Sequence, residues 1–414
     1  MSNPMSLSDY EITRLSNGLR CVFRRQPGVS YCGLAVRAGT RDEEPKEAGL
    51  AHFVEHTIFK GTQKRQSHHI SSRMECVGGE LNAYTTKEET MIYTVAPPGY
   101  LERALDLLAD LVNNCTFPAT ELEKEKEVVI DEINSYLDTP SEAIFDEYED
   151  LMYAGSGLGH NILGTPQTVK ALDSDSCRRF VERYYTPADM VLYCVGESSS
   201  AKAFRLMEKY FSPLKRAAAS ERPGRLVTPP VPVPFDDIRD MGLHQCHTIM
   251  GSRVFGRLDE RRYALFLLNN HLGGPAMNSV LNRELRDKRG YVYTVDSMVG
   301  LLSDCGLFEV YFGCDREHVK PCKRIIRSEL LRLAETPMKP RVFDAAVRQY
   351  SGQLQVAASY AESQAMNLGK SLLYYDKVLD IQTTKAALAA LTPQAVSDVA
   401  RLICENGLSS LTLC

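Results

Sequence analysis

Apolar and polar residues along this chain fall into short β-type runs and longer helical stretches. Leu19–Arg25 and Tyr31–Val36 are rich in β-branched and aromatic residues, and Gln26-Pro27-Gly28 between them reads as a turn. Thr90–Val95 is a third strand of this kind. Helices are expected over Ala48–Phe59, Tyr100–Asn113 and Thr120–Tyr136. Thr120, followed by Glu123 and preceded by Pro118, gives the last of these a capping box. The second half repeats the theme. A strand near His247–Phe255 precedes helices over Glu260–Leu272 and Met277–Lys288, and strands follow at Tyr291–Met298 and Gly306–Phe312. This mixture, with several hairpin-like neighbours, implies an α+β sandwich in each half.

The chain has 414 residues, too many for one hydrophobic core and suited to two domains of about 200 residues each. The Pro-rich segment 213–235 reads as an extended linker, giving domains over 1–212 and 236–414. A net charge of −5 leaves no basic footprint, which argues against nucleic acid as a partner. The first twenty residues lack a basic stretch followed by an apolar run, and no run of about 18 apolar residues occurs. A cytoplasmic protein with no membrane span is therefore expected. The 12 cysteines form no CxxC pair and many sit in apolar surroundings, so they are expected as reduced core residues.

One segment carries chemistry. In Gly49-Leu50-Ala51-His52-Phe53-Val54-Glu55-His56 the two histidines are four apart, so on a helix both imidazoles leave the same face. That spacing lets two nitrogens reach one zinc ion at about 2.0–2.1 Å. Glu55 shares the face and can hold a water beside the metal without ligating it. Phe53, Val54, Ile58 and Phe59 can anchor the remaining faces. A catalytic zinc takes a third protein ligand, and the acidic helix Glu121–Glu132 offers candidates. Glu125 and Glu132 are seven apart and share a face. The apolar run Val128–Ile130 places Glu132 on the buried part, where a carboxylate needs a partner such as a metal.

HxxEH with a glutamate 76 positions after the second histidine, together with the string EKEVVIDEI, resembles the pitrilysin family, which includes insulin-degrading enzyme and mitochondrial processing peptidase. The resemblance implies Glu132 as the third ligand, Glu55 as the catalytic base and Glu125 as an auxiliary carboxylate behind the ligands. It spans nearly the whole chain. Gly78-Gly79-Glu80-Leu81-Asn82-Ala83-Tyr84-Thr85 is similar to the family's edge strand, which implies pairing of Asn82 and Ala83 with substrate backbone. Tyr184-Tyr185-Thr186-Pro187 leading to Val191–Gly196 matches the end of its first domain. Arg286 and Tyr293, seven apart, match its Arg-plus-Tyr motif, which implies substrate clamping and oxyanion stabilisation.

The other seven histidines (68, 69, 160, 244, 247, 271 and 318) read as structural or surface residues. The corresponding helix of the second half reads FLLNNHLGG, without the motif. The resemblance therefore implies two related α/β sandwich domains, mainly antiparallel sheets flanked by helices, with one Zn²⁺ per chain. It further implies a clamshell homodimer that hydrolyses peptides or unfolded polypeptides. The alternative is a processing-peptidase-like subunit or a non-catalytic scaffold that needs a different partner chain. Such relatives lose or divide the zinc and Arg/Tyr motifs, whereas this chain carries both.

Overall fold

The computed structural model describes residues 10–214 and 230–414. Residues 215–229 of the expected linker, and the first nine residues of the N-terminal stretch, lie outside them. The chain forms two compact units. One gathers residues 10–134, 160–214 and 358–380; the other gathers 135–159, 230–357 and 381–414. The sequential division expected at 1–212 and 236–414 therefore differs in two segments, 135–159 and 358–380. The reason is visible in how each sheet is covered.

The first unit is built on strands β1 (Tyr10–Arg14), β2 (Arg20–Arg25), β3 (Ser30–Val36), β4 (Glu80–Thr85), β5 (Thr90–Ala96) and β6 (Met190–Gly196), in the order β1-β2-β6-β3-β5-β4. All pairs are antiparallel except β2 with β6. The central strand β6, MVLYCVG, is buried at every residue, as a strand covered on both faces must be. Helices α1 (Leu50–Thr57), α2 (Ser67–Glu75), α3 (Leu101–Asn114) and α4 (Ala119–Leu137) follow. On α3, Leu101, Ala104, Leu105, Leu108, Leu111 and Val112 form a helical stripe buried against one sheet face. Each such fully buried leucine contributes about 1.5–3 kcal/mol over exposure. The opposite face is closed by the helix Ala361–Tyr375, whose Ala365, Leu368, Leu372 and Leu373 pack on Val22, Ala35, Met91, Val191 and Tyr193.

The second unit repeats the device. Strands β7 (Asp236–Arg239), β8 (Cys246–Phe255), β9 (Val292–Leu301), β10 (Cys305–Cys314) and β11 (Ser409–Leu413) are ordered β7-β11-β8-β10-β9, with only β7 and β11 parallel. Helices Arg262–Gly273, Val319–Glu335 and Pro393–Glu405 bury one face. The helix Pro140–Met152 covers the other, placing Ile144, Tyr148 and Met152 on Ile249, Leu307 and Leu411. The Tyr148 hydroxyl donates to the Ser409 carbonyl at 3.2 Å. Both units are thus α+β, each a mainly antiparallel sheet between helices.

Three local expectations are corrected. α4 begins at Ala119, with the Pro118 carbonyl accepting the first amides, so Thr120 lies within the first turn and is not the cap. Only Asn282–Asp287 of the expected helix Met277–Lys288 is a regular element, wound with wider bonds such as Lys288 N–H to the Arg283 carbonyl at 3.0 Å. Two cysteines are not reduced: Cys246 and Cys414 form a disulfide across 168 residues. The antiparallel register of β8 and β11, which pairs His247 with Leu413, brings them side by side, and no local pattern reveals such a register. No helix of the described residues is long and apolar enough to cross a membrane.

Candidate metal centre

α1 is short and has no side-chain cap of its own. Gly49 occupies its N-cap with φ of 93°, a left-handed conformation that favours glycine. A Cβ there would also lie 2.6 Å from the Leu163 carbonyl oxygen. The missing cap is supplied by Glu43 from the preceding loop. Its carboxylate accepts the Gly49 N–H at 2.9 Å and the Ala51 N–H at 2.6 Å, and His160 Nε2 lies 3.0 Å from it. The Glu43 side chain is fully buried, and burial raises its pKa while the His160 contact and the two amides oppose the shift. Neither residue was singled out from the sequence. A loop acid six positions before Gly49 has no local signature, and His160, read from the sequence as a structural or surface residue, is half of this pair.

Phe53, Val54 and Ile58 are fully buried and anchor α1, which also packs against β4. The other face presents His52 and His56 to α4. His56 Nε2 lies 3.4 Å and His52 Nε2 3.9 Å from Glu132 Oε2. One donor atom from each of the three residues lies within 4.8 Å of the others, and no second such trio forms among the described residues. Tetrahedral zinc with bonds of about 2.0–2.1 Å holds its ligand atoms about 3.3–3.4 Å apart. The donor set fits zinc, and the His56–Glu132 spacing matches it, while the His52–Glu132 spacing is longer. At 3.9 Å the His52–Glu132 contact is too long to be a hydrogen bond. Burial, helped by the nearby His56 ring, pushes His52 down to about 3, so it is neutral at physiological pH, as a metal ligand must be.

Glu132 corrects one expectation. Its side chain is 44% accessible, so it is not the buried carboxylate of α4. Glu125 is: it belongs to the stripe Leu122, Glu125, Lys126, Val129 and Ile133 that faces the core, while Glu132 flanks that stripe. Glu125 Oε1 lies 3.0 Å from His56 Nδ1, and Oε2 lies 2.6 Å from Lys60 Nζ. Lys60 was missed in the sequence, although its place four after His56 was a usable signal. The Nδ1 of His52 is buried without a hydrogen-bond partner among the described residues.

Glu55 sits within the field of His56 and Glu132 and beside the Thr85 hydroxyl at the end of β4. Burial raises its pKa, and Thr85 and His56 pull it part of the way back. β4 is an edge strand, paired through Asn82 with Tyr93 and Ala83 with Ile92 on one side only. In the second unit Arg286 is exposed and donates to Met277 Sδ at 3.4 Å, and Tyr293 is 69% exposed on the edge strand β9.

Known proteins resemble this chain over most of its length. Residues 24–166 match the family model described as insulinase, peptidase family M16, and residues 171–350 match the one described as peptidase M16 inactive domain. An uncharacterised zinc protease of Streptomyces coelicolor is 34% identical over 94% of this chain and 86% of its own length. One from Bacillus subtilis is 31% identical over 93% of each. Among solved structures, a protease from Helicobacter pylori superposes with a TM-score of 0.91 over 98% of this chain and 99% of that one, at 20% identity. A Pseudomonas fluorescens structure described as a peptidase M16 inactive domain gives 0.87 over 98% and 97%, at 18% identity. The resemblance carried by HxxEH and its distant glutamate thus extends over both units, and the chain belongs to the insulinase family, peptidase family M16.

Proposed function

We propose that this chain is a zinc-dependent endopeptidase that hydrolyses peptides or unfolded polypeptides, with one zinc held by His52, His56 and Glu132. The observation that carries this reading is the convergence of those three donor sets, with a partly buried carboxylate, Glu55, beside them. Zinc, when bound, supplies Lewis acidity that activates water and polarises a scissile carbonyl. Glu55 accepts the proton of the attacking water and delivers it to the leaving amine. The open side of β4 receives substrate as an added strand along Asn82 and Ala83. Arg286 and Tyr293, both exposed, donate to the developing oxyanion from a second copy of the chain in a homodimer.

The Glu55→Gln variant tests the chemistry. It keeps the shape of the side chain but cannot take the proton, so hydrolysis of a quenched peptide should fall at least 10²–10⁴-fold while zinc stays bound. Retention of more than about a tenth of the rate would exclude Glu55 as the base, and loss of zinc would make it a ligand. Co-expression of E55Q with the R286A/Y293F double variant tests the shared site. Mixed dimers then hold one intact site, and activity should recover to roughly a quarter of wild type under random pairing. No recovery would mean that each site forms within one chain. Zinc binding without any cleavage would favour the alternative, a subunit that needs a different partner.

A further inference from the structure

His56 is held at both ring nitrogens by the same helix. Glu132 lies at Nε2 and Glu125 at Nδ1, seven residues apart on α4 and so about two turns from each other. Two carboxylates therefore flank one imidazole, and something must decide which of them faces a metal. Glu132 Oε2 is within reach of both histidine Nε2 atoms and its side chain is accessible. Glu125 has both oxygens engaged, Oε1 by His56 Nδ1 and Oε2 by Lys60 Nζ. The Lys60–Glu125 pair is short and sheltered, with side chains 27% and 10% accessible. Lys60 lies just beyond the end of α1, where its N–H bonds the Thr57 carbonyl at 3.0 Å, and a cation suits a helix C-terminus.

We propose that Lys60 is a positioning residue of the metal centre. By fixing Glu125 Oε2 it keeps Oε1 on the N–H of His56 Nδ1. That bond holds the imidazole in the tautomer and orientation that present the Nε2 lone pair toward Glu132 and His52. It also keeps Glu125 out of the metal-binding set, so that Glu132 is the carboxylate ligand. The inference rests on the proposed zinc reading and adds to it a residue outside the HxxEH motif.

The test is the zinc dissociation constant, measured by competition with a chromophoric chelator, for wild type, K60M, K60R, E125Q and K60M/E125Q. Melting temperatures of the metal-free forms are measured in parallel. K60M should weaken zinc about tenfold, the lower edge of the 10–100-fold range for partners behind a ligand, because Lys60 acts at one remove. K60R should return to within about threefold of wild type, since it keeps the cation but changes its geometry. In the E125Q background K60M should add little, as expected when two residues act through one path. Should K60M fail to fold, K60Q is read the same way.

If K60M binds zinc like wild type and only the melting temperature falls, Lys60 is a structural ion pair and the proposal fails while the zinc reading stands. An equal zinc loss in the E125Q background also overturns it, because Lys60 would then act by charge alone. A wild type that binds no zinc removes the functional reading and this inference together.

Discussion

Replacing Glu43 tests whether the helix that carries the proposed zinc ligands depends on a cap borrowed from the preceding loop. In Glu43→Ala the amides of Gly49 and Ala51 lose the acceptor they now reach at 2.9 and 2.6 Å, at a position where the Glu43 side chain is fully buried. A buried donor left without a partner costs about 1–3 kcal/mol, so two cost about 2–6 kcal/mol. Removing a carboxylate whose pKa burial has raised returns part of that, since its desolvation is no longer incurred. The net expectation is a loss of about 2–4 kcal/mol, from the top of the range for single cap deletions upward, because two buried amides lose their acceptor at once. Glu43→Gln keeps one carbonyl oxygen for one amide and should lose about 1–3 kcal/mol. Because His52 lies in the first turn of α1, a shifted helix start also moves a proposed zinc ligand. Zinc affinity should therefore fall together with stability. Urea unfolding of the metal-free protein followed by chelator competition measures both. If E43A unfolds within about 0.5 kcal/mol of wild type, the ordinary scatter of surface substitutions, and binds zinc equally well, the cap does not hold the site.

Glu132→Ala should lose more zinc affinity than Glu125→Ala, because a ligand contributes more than the group behind it; metal titration of both variants decides this, and equal or reversed losses would mean that α4 uses the other carboxylate. In the second unit, Glu309 is buried with no hydrogen-bond partner for Oε1 among the described residues, and burial, with the Glu149 carboxylate nearby, holds its pKa well above the usual range. The folded state then binds the extra proton, so this group makes stability fall as pH rises from the ordinary carboxylate range toward the folded pKa, by at most about 1.4 kcal/mol per pH unit. Glu309→Gln should flatten that fall and raise the melting temperature at pH 8; an unchanged pH profile would mean that Glu309 is charged in the fold.

The part of the site that was legible in the sequence is the part written within one helix. His52, Glu55 and His56 show themselves because helical spacing alone brings them to one face. Strands β2, β3, β5, β8 and β10 lie within two residues of their expected ends, because β-branched and aromatic runs mark them, whereas β9 runs three residues further and β1, β7 and β11 were not expected. Glu132 needed the long spacing to His56 that family resemblance supplied, and burial reasoning misplaced it: the apolar neighbours Val128–Ile130 do not share one environment, since Val129 is buried and Val128 is 50% exposed. The helices Pro140–Met152 and Ala361–Tyr375 each join the unit of the other half of the sequence. A local pattern tells that a helix has an apolar face but not which sheet will cover it. The same limit hid the Cys246–Cys414 pairing and the Glu43 cap, both of which depend on tertiary register.

Zinc titration against activity tests the central claim most directly. Purified protein is stripped with a chelator, shown to be inactive toward a quenched unstructured peptide, and reloaded with known amounts of zinc. Cleavage should return in proportion to bound metal, reach a plateau at about one zinc per chain as expected of a single three-ligand site, and fail to return in H52A, H56A or E132A. Activity that survives complete removal of metal, or that returns equally in those variants, would contradict the assignment of His52, His56 and Glu132 as the catalytic zinc site.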